Sequence, residues 1–217
     1  MFWPGLAVRA CLACLLLASP WALAGCGAGS PGRPPNGRSV VAFWAAGSHQ
    51  SLSALERAPA IVTAVAPFTA SVDANGSVHQ RPSANVLTVS RRLGIAATPL
   101  FNSPSSEGFL RRPAARAPAV REIAAVVRRE GFPGLHIDFE PPHARDAAAL
   151  ATFVGALRRP LPHAAIYLDI VPASGGAYDW RQLTPLLTGY ALMSYDQHAP
   201  GTAPGPGPVA ATPFLKP

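Results

Sequence analysis

Residues 134–140, which read Gly-Leu-His-Ile-Asp-Phe-Glu, restrict the fold of this chain more than any other stretch. Apolar and ionisable residues alternate along it, and successive side chains of a β-strand point to opposite faces. His136, Asp138 and Glu140 therefore share one face of the predicted strand. Two prolines follow directly and end the strand, since proline supplies no N–H to a sheet. The pattern predicts a strand whose carboxyl end presents two carboxylates, as strands of parallel α/β barrels do.

The spacing of Asp138 and Glu140 brings the two carboxylates close enough to influence each other's ionisation. Side chains two residues apart on one strand face lie roughly 6–7 Å apart. At that distance double ionisation is disfavoured, so the pKa of one carboxyl rises and that group stays protonated near neutral pH. A protonated carboxyl at a strand end is a candidate general acid. The alternative is a pair of solvated acids without a catalytic role.

From residue 39 onwards the sequence alternates predicted strands and helices. Strands are predicted at 40–44, 61–72, 93–101, 134–140, 165–171 and 190–195. Helices are predicted at 51–57, 85–93, 118–130, 146–159 and 180–187, and 102–118 reads as a polar loop rich in proline and arginine. Such alternation indicates βα units and a parallel sheet. The predicted fold class is α/β, an incomplete (β/α)8 barrel with about six of the eight βα units.

The N-terminal residues are predicted to export and tether the protein. Residues 10–24 are apolar or small, which is short for a membrane span and typical of a secretory signal. The segment ends in Leu-Ala-Gly-Cys at Cys26, which resembles the bacterial lipoprotein box, where cleavage precedes an acylated cysteine. Ordinary secretion with cleavage nearby is the alternative. The predicted organisation is a signal peptide (1–25), a lipidated Cys26 with a flexible tether (26–38), the barrel (39–198) and a truncated Gly/Pro-rich tail (199–217).

Cysteine content and charge exclude several classes of protein. All three cysteines lie within the first 26 residues, so the remainder has no thiol for a disulfide framework or a cysteine-based zinc site. The formal net charge is +7, but the arginines are scattered or paired at predicted helix ends. No basic run is interleaved with aromatic residues, which argues against nucleic-acid binding. We expect an exported monomer, anchored by lipid to the cell envelope, that uses no cofactor and no metal.

Two motifs of the chain resemble the catalytic strands of glycoside hydrolase family 18. Residues 134–140 end in the Asp-x-Glu of that family's fourth strand, and 193–196 (Met-Ser-Tyr-Asp) resemble the Met-x-Tyr-Asp of its sixth strand. The two motifs together, in order and on the predicted fourth and sixth strands, are more specific than either alone. The longer forms are most similar to the bacterial branch that acts on N-acetylglucosamine of cell walls or exopolysaccharides.

The resemblance implies retaining hydrolysis of β-1,4-linked N-acetylglucosamine glycans, assisted by the substrate's own acetamido oxygen as nucleophile. Glu140 matches the general acid that protonates the glycosidic oxygen. Asp138 matches the residue that orients and stabilises the 2-acetamido group, and Tyr195 matches the hydroxyl that bonds its carbonyl. Asp196 and Met193 are implied to line the same pocket and to contact the substrate.

The chain departs from the family pattern at two positions before Asp138. Pro133 stands where the family has Asp, and His136 stands where the family has the Asp or Asn that holds the catalytic Asp in place. We count His136 among the substrate-binding residues and expect it to donate a hydrogen bond to Asp138. Phe43 and Trp44, on the first predicted strand, are also counted among the substrate-binding residues, as aromatic side chains that contact the sugar. Packing in the core is the alternative for both.

Two other functions remain open at this point. The chain could be a lipid-anchored barrel that binds glycans without turnover, or an inactive fragment, because an eighth strand, which commonly carries the aromatic floor of the family's sugar site, is not found. It could also be a metal-dependent barrel hydrolase. The ligands would be His136, Asp138 and Glu140 on one strand face, with Asp196 and His198 at another strand end.

Overall fold

The computed structural model describes residues 39–45, 49–57, 61–81, 83–104, 106–140, 143–171, 176–195, 197–198, 205 and 207–211. The predicted signal peptide, the lipidation site Cys26, the tether and the site residue Asp196 lie outside these residues, as does most of the predicted tail. Those assignments stay predictions.

The described residues form eight strands and six helices that follow the predicted alternation. The strands are β1 (Val41–Trp44), β2 (Ala64–Val72), β3 (Val78–Gln80), β4 (Ala96–Ala97), β5 (Leu100–Ser103), β6 (Gly134–Phe139), β7 (Ala165–Ile170) and β8 (Gly189–Leu192). The helices are α1 (His49–Arg57), α2 (Ala84–Leu93), α3 (Ser106–Leu110), α4 (Pro113–Glu130), α5 (Ala147–Arg158) and α6 (Trp180–Leu183), with 3₁₀ turns at Ala144–Asp146 and Thr184–Leu186. No helix among them is long and apolar enough to cross a bilayer.

Six strands form a parallel sheet in the order β1-β2-β5-β6-β7-β8. β3 folds back antiparallel onto β2, and β4 adds a two-residue parallel pairing to β2. The sheet is curled. Phe43 of β1 contacts His136 of β6 although two strands separate β1 from β6, and a flat sheet would not allow this contact. A curled parallel sheet with helices on its outer side confirms the predicted α/β barrel type with six βα units.

β6 occupies the centre of the sheet, and all six of its residues are buried. Leu135, Ile137 and Phe139 face outwards into the main core, where they pack with α4 and α5. The opposite face lines the interior of the curled sheet. A parallel strand covered on both faces buries its polar side chains as well as its apolar ones. This position places the ionisable residues of β6 in a low-dielectric environment rather than in water.

The loop predicted for 102–118 is wrong, because α3 and the first turn of α4 lie within it. Phe109 and Leu110 of α3 are buried in the main core, as are Ala115 and Ala119 of α4. Pro113 stands in the first turn of α4, where a missing N–H breaks no helical bond. Packing of this segment on the core thus outweighs the local proline signal.

Candidate active site

Asp138 and Glu140 lie at the carboxyl end of β6, beside a pocket of about 390 Å³. The other residues that line this pocket are Asn102, Ser103 and Pro104, at the end of β5. Asn102 and Asp138 are partners in the parallel register of β5 and β6, so their side chains stand next to each other on the interior face. The pocket therefore presents two carboxylates and an amide on its strand side.

Asp138 carries the raised pKa that the pair was predicted to contain. Burial raises the pKa of Asp138 to about 8, and a hydrogen bond to Glu140 and the charges of Glu140 and Asp169 act in the same direction. Because this hydrogen bond favours the protonated form, the Asp138 hydroxyl donates to the Glu140 carboxylate. Asp138 is only 8% exposed. The site thus holds a protonated Asp138 at neutral pH, with Glu140 as its hydrogen-bond partner.

His136 is hydrogen-bonded to Asp169 of β7. The prediction that His136 donates a hydrogen bond to Asp138 is therefore wrong. Its Nδ1 lies 2.8 Å from Oδ1 of Asp169, and both side chains are almost fully buried. The imidazole stacks on the Tyr167 ring, with centroids 4.9 Å apart, and meets the edge of Phe43 at 5.3 Å. His136 therefore lies below the carboxylate pair in the barrel interior, held between aromatic rings. Asp169 has no role in the sequence prediction.

Tyr178, in the loop between β7 and α6, is a second residue of the site that the sequence prediction missed. Burial raises the pKa of Tyr178, and the charges of Glu140, Asp138 and Asp169 add to the rise, while a hydrogen bond from the Val171 N–H opposes it. The oxygen–nitrogen distance of that hydrogen bond is 3.1 Å. Its sequence signal is weak, namely a tyrosine in the loop that follows the fifth predicted strand. The phenol is close enough to the three carboxyl groups for their charges to act on it.

The two aromatic residues predicted on the first strand separate to opposite faces of β1. Phe43 is 47% exposed and reaches the interior face, where it contacts His136. Trp44 is 6% exposed and packs with Leu55 and Val65 in a second core cluster, on the helix side of the sheet. The assignment of Trp44 to substrate binding is therefore corrected, because the strand alternation that turns Phe43 inwards turns Trp44 away.

The second predicted motif lies at the carboxyl end of β8. The Met193 N–H donates to the carbonyl of Ile170 at 2.8 Å, which extends the pairing with β7 by one residue. Met193 is two residues beyond Ala191 and shares its face, the one that carries the ionisable groups. Tyr195 lies in the following turn and is 48% exposed. The motif is thus at the same end of the sheet as the carboxylate pair, whereas Asp196 is outside the described residues.

The ligand set proposed for a metal-dependent hydrolase is not assembled in the described part of the chain. No group of three His, Cys, Asp or Glu side chains there is placed to hold a metal ion. His198 is bonded through Nδ1 to the carbonyl of Gly205, at 2.7 Å. No described geometry therefore supports the metal alternative.

Comparison with known proteins shows that the fold is similar to that of chitinase-like barrels. No family model matches the chain. It is 31% identical over 114 residues to the sporulation-specific glycosylase YdhD of Bacillus subtilis (strain 168), an alignment that covers 49% of this chain and 27% of that protein. The fold is similar to a class V chitinase from Pseudomonas fluorescens Pf-5, with a TM-score of 0.70, 22% identity, and coverage of 81% of this chain and 61% of that one. For the spore cortex-lytic enzyme SleL of Bacillus cereus the TM-score is 0.65 at 17% identity, over 73% and 41% of the two chains.

These similarities establish the fold. The chain spans less than two thirds of the length of each of these three proteins. In such barrels, catalytic side chains lie at the carboxyl ends of the strands, which is where Asp138 and Glu140 stand. The barrel fold is thus shared, whereas the activity of such a fold depends on the residues of its site.

We expect the stability of the protein to fall as the pH rises from about 4 to about 8. The Asp138 pKa is raised to about 8 in the folded state, against about 3.9 in an unfolded chain. The folded state therefore binds more protons, so this contribution is complete below about pH 4 and is lost as the pH rises through about 8. The pKa of Asp169, also raised by burial, adds a change of the same sign.

Melting temperatures of the wild type and of Asp138→Asn between pH 4 and 9 test this expectation. The variant should lose less stability over this range than the wild type, because asparagine binds no proton. Glu130→Gln, which removes a carboxylate at the end of α4 outside the site, is the control and should retain the wild-type slope. An identical slope in Asp138→Asn and wild type would contradict the assignment of the raised pKa.

Proposed function

We propose that this protein is a glycoside hydrolase that cleaves β-1,4-linked N-acetylglucosamine glycans with retention of configuration. The observation that carries the proposal is the placement of Asp138 and Glu140 beside a pocket at the carboxyl end of β6, where burial and Glu140 raise the pKa of Asp138. The similarity to a class V chitinase, a sporulation-specific glycosylase and a spore cortex-lytic enzyme supports the same class of substrate. Cell-wall glycan, chitin fragments and exopolysaccharide all contain this sugar.

The Asp138–Glu140 hydrogen bond supplies the proton for the first step. The proton moves from Asp138 to Glu140 and on to the glycosidic oxygen, while the bond from that oxygen to the sugar's anomeric carbon breaks. The acetamido oxygen of the same sugar attacks the anomeric carbon, so that a positively charged oxazolinium forms and the shortened glycan leaves as an alcohol. Asp138, now ionised, stabilises this positive charge.

The second step reverses the direction of proton transfer. Glu140, left as a carboxylate, removes a proton from a water molecule, whose oxygen bonds to the anomeric carbon as the oxazolinium ring opens. The acetamido group is regenerated, and the two displacements at one carbon give net retention. We assign the Tyr195 hydroxyl to bonding the acetamido carbonyl, and Met193 and Asp196 to the wall beside it. Phe43, half-exposed on the interior face, offers an apolar surface to a sugar ring.

A matched pair of substrates tests this function. We expect a chromogenic N-acetylglucosamine oligomer to be hydrolysed, and its de-N-acetylated counterpart to react at least about 1000-fold more slowly, because it lacks the intramolecular nucleophile. Release of the chromophore and the anomeric configuration of the first product, followed by NMR, are the measurements.

The other outcomes separate the alternatives. Equal rates on both oligomers would contradict substrate assistance and point to an enzyme carboxylate as nucleophile. Saturable binding of the acetylated oligomer without turnover, under conditions where the chain is folded, would favour the glycan-binding barrel. Turnover that a chelator abolishes would favour the metal-dependent hydrolase.

A further inference from the structure

Three carboxyl groups and one imidazole face the same part of the barrel interior. Asp138 and Glu140 come from β6 and Asp169 comes from β7, while His136 of β6 is bonded to Asp169. The other side chains that face this group are Tyr167 of β7, Tyr178 of the loop after β7, Asn102 of β5 and Phe43 of β1. His136 is the only basic group among these described residues.

The register of β6 and β7 places Asp169 beside Asp138. His136 pairs with Tyr167, and the next residues along the two strands also pair. Continuing this register by one residue makes Asp138 and Asp169 neighbours on the interior face. Both are buried, and Oδ1 of Asp138 and Oδ2 of Asp169 have no hydrogen-bond partner among the described residues. Each therefore has one oxygen that is not stabilised by a donor.

The His136 ring is held in one orientation. It stacks on Tyr167 with an angle of 20° between the ring planes, and the Phe43 ring meets it edge-on at 74°. Its Nδ1–H donates to Oδ1 of Asp169 at 2.8 Å. A hydrogen bond from an imidazole favours the ionised form of a carboxyl group, and so opposes the effect of burial on Asp169. The pair therefore fixes the position of the Asp169 carboxyl group beside Asp138, and the charge of Asp169 is one of the causes that raise the pKa of Asp138.

We propose that His136 and Asp169 form a positioning pair for Asp138. In this pair, His136 fixes the Asp169 carboxylate, and Asp169 keeps the proton on the Asp138 carboxyl group until substrate enters. Neither residue touches the reacting atoms. The residues that position Asp138 then come from two strands, β6 and β7. The kinetic part of this inference rests on the proposed hydrolase function, whereas its electrostatic part does not depend on turnover.

The decisive experiment is an NMR titration of the Asp138 carboxyl in the full chain labelled with ¹³C at aspartate side-chain carboxyls. Asp138→Asn identifies the signal. We expect Asp169→Asn to lower the pKa of Asp138, because a neighbouring negative charge is removed. Glu130→Gln, which removes a distant carboxylate, should leave the Asp138 titration unchanged. An unchanged Asp138 titration in a folded Asp169→Asn variant overturns the proposal.

A second pair of variants tests the part assigned to His136 and covers the outcome in which Asp169→Asn fails to fold. His136→Phe keeps an aromatic ring but removes the donor, and should raise the pKa of Asp169. His136→Gln retains an N–H donor and should restore part of the difference. If the Asp169 titration is the same in His136→Phe and in the wild type, the hydrogen bond has no electrostatic effect and the proposal is wrong.

Kinetics distinguish a positioning pair from a merely structural one. On the acetylated oligomer, Asp169→Asn should lower kcat/KM by up to about 100-fold and move the pH profile to lower pH. A structural defect alone would lower the rate without moving the profile. If the wild type has no turnover, the proposed function fails and the titrations still decide the inference. If the wild type is active and the Asp138 titration is unaffected by Asp169→Asn, the inference fails alone.

Discussion

Glu140→Gln is expected to abolish detectable hydrolysis of N-acetylglucosamine oligomers while the protein stays folded. Glutamine keeps the size of the side chain but has no carboxyl proton to give to the glycosidic oxygen. Loss of a general acid costs about 10² to 10⁴ in rate, and this residue would serve as base in the second step as well. Because Glu140 is only partly buried at the end of β6, an amide there should be tolerated. The measurement is kcat/KM on the chromogenic oligomer.

The control for this experiment is Glu130→Gln, which makes the same chemical change outside the site. It should retain wild-type turnover. Binding of the oligomer by Glu140→Gln, measured by calorimetry, should persist, since the change removes a proton donor and not the pocket. Turnover in Glu140→Gln within a factor of about three of the wild type would rule out Glu140 as the acid, since removing a general acid costs far more.

Phe109→Ala is expected to reduce the free energy of unfolding by about 3–5 kcal/mol, the cost of truncating a buried phenylalanine. Its side chain is fully buried, and its ring meets those of Phe139 and Phe153 edge-on, with centroids 5.2 and 5.7 Å away. Alanine would leave a cavity directly behind β6. Domains are stable by only about 5–15 kcal/mol in total, so a loss of this size would also reduce the fraction of protein in which the site is folded. Chemical denaturation of wild type and variant measures it.

Two other variants show whether this loss comes from burial. Phe43→Ala removes the same atoms from a half-exposed position on β1 and should cost much less. Phe109→Leu retains most of the apolar volume and should lie between wild type and Phe109→Ala. If Phe109→Ala unfolds at the wild-type denaturant concentration, α3 does not pack on the core as the structure shows.

The difference between prediction and structure at α3 and α4 has a clear physical origin. Prolines and arginines in 102–118 favour a loop when each is judged by local preference. The segment is helical because Phe109, Ala115 and Ala119 complete the core, and tertiary packing contributes more to a helix than propensity does. Pro118 lies inside α4, five residues after its start. Gly131, predicted as the helix end, does end it, with a φ of +68° that suits glycine.

The strand that carries the site can be predicted from residues 134–140 alone, and the alternation of strands and helices around it follows from the rest of the sequence. Alternation over 134–140 depends only on the two-residue repeat of an extended chain. This alternation predicts that His136, Asp138 and Glu140 share one face of the strand. The same spacing predicts a raised pKa in one of the two carboxyl groups. The pKa of Asp138 is raised, with burial as the largest cause and the hydrogen bond and charge of Glu140 as smaller ones.

Contacts between side chains of different strands depend on how the strands pair and pack. The pairing of His136 with Asp169 joins residues 33 positions apart, and it depends on the register of β6 against β7. The alternation along each strand specifies which side chains share a face, but it does not specify which residue of β7 lies beside a given residue of β6. The burial that raises the pKa of Asp138 likewise depends on the strands that pack on either side of β6. For this chain, the spacing along one strand identifies Asp138 and Glu140 as a pair, and packing between strands raises the pKa of Asp138.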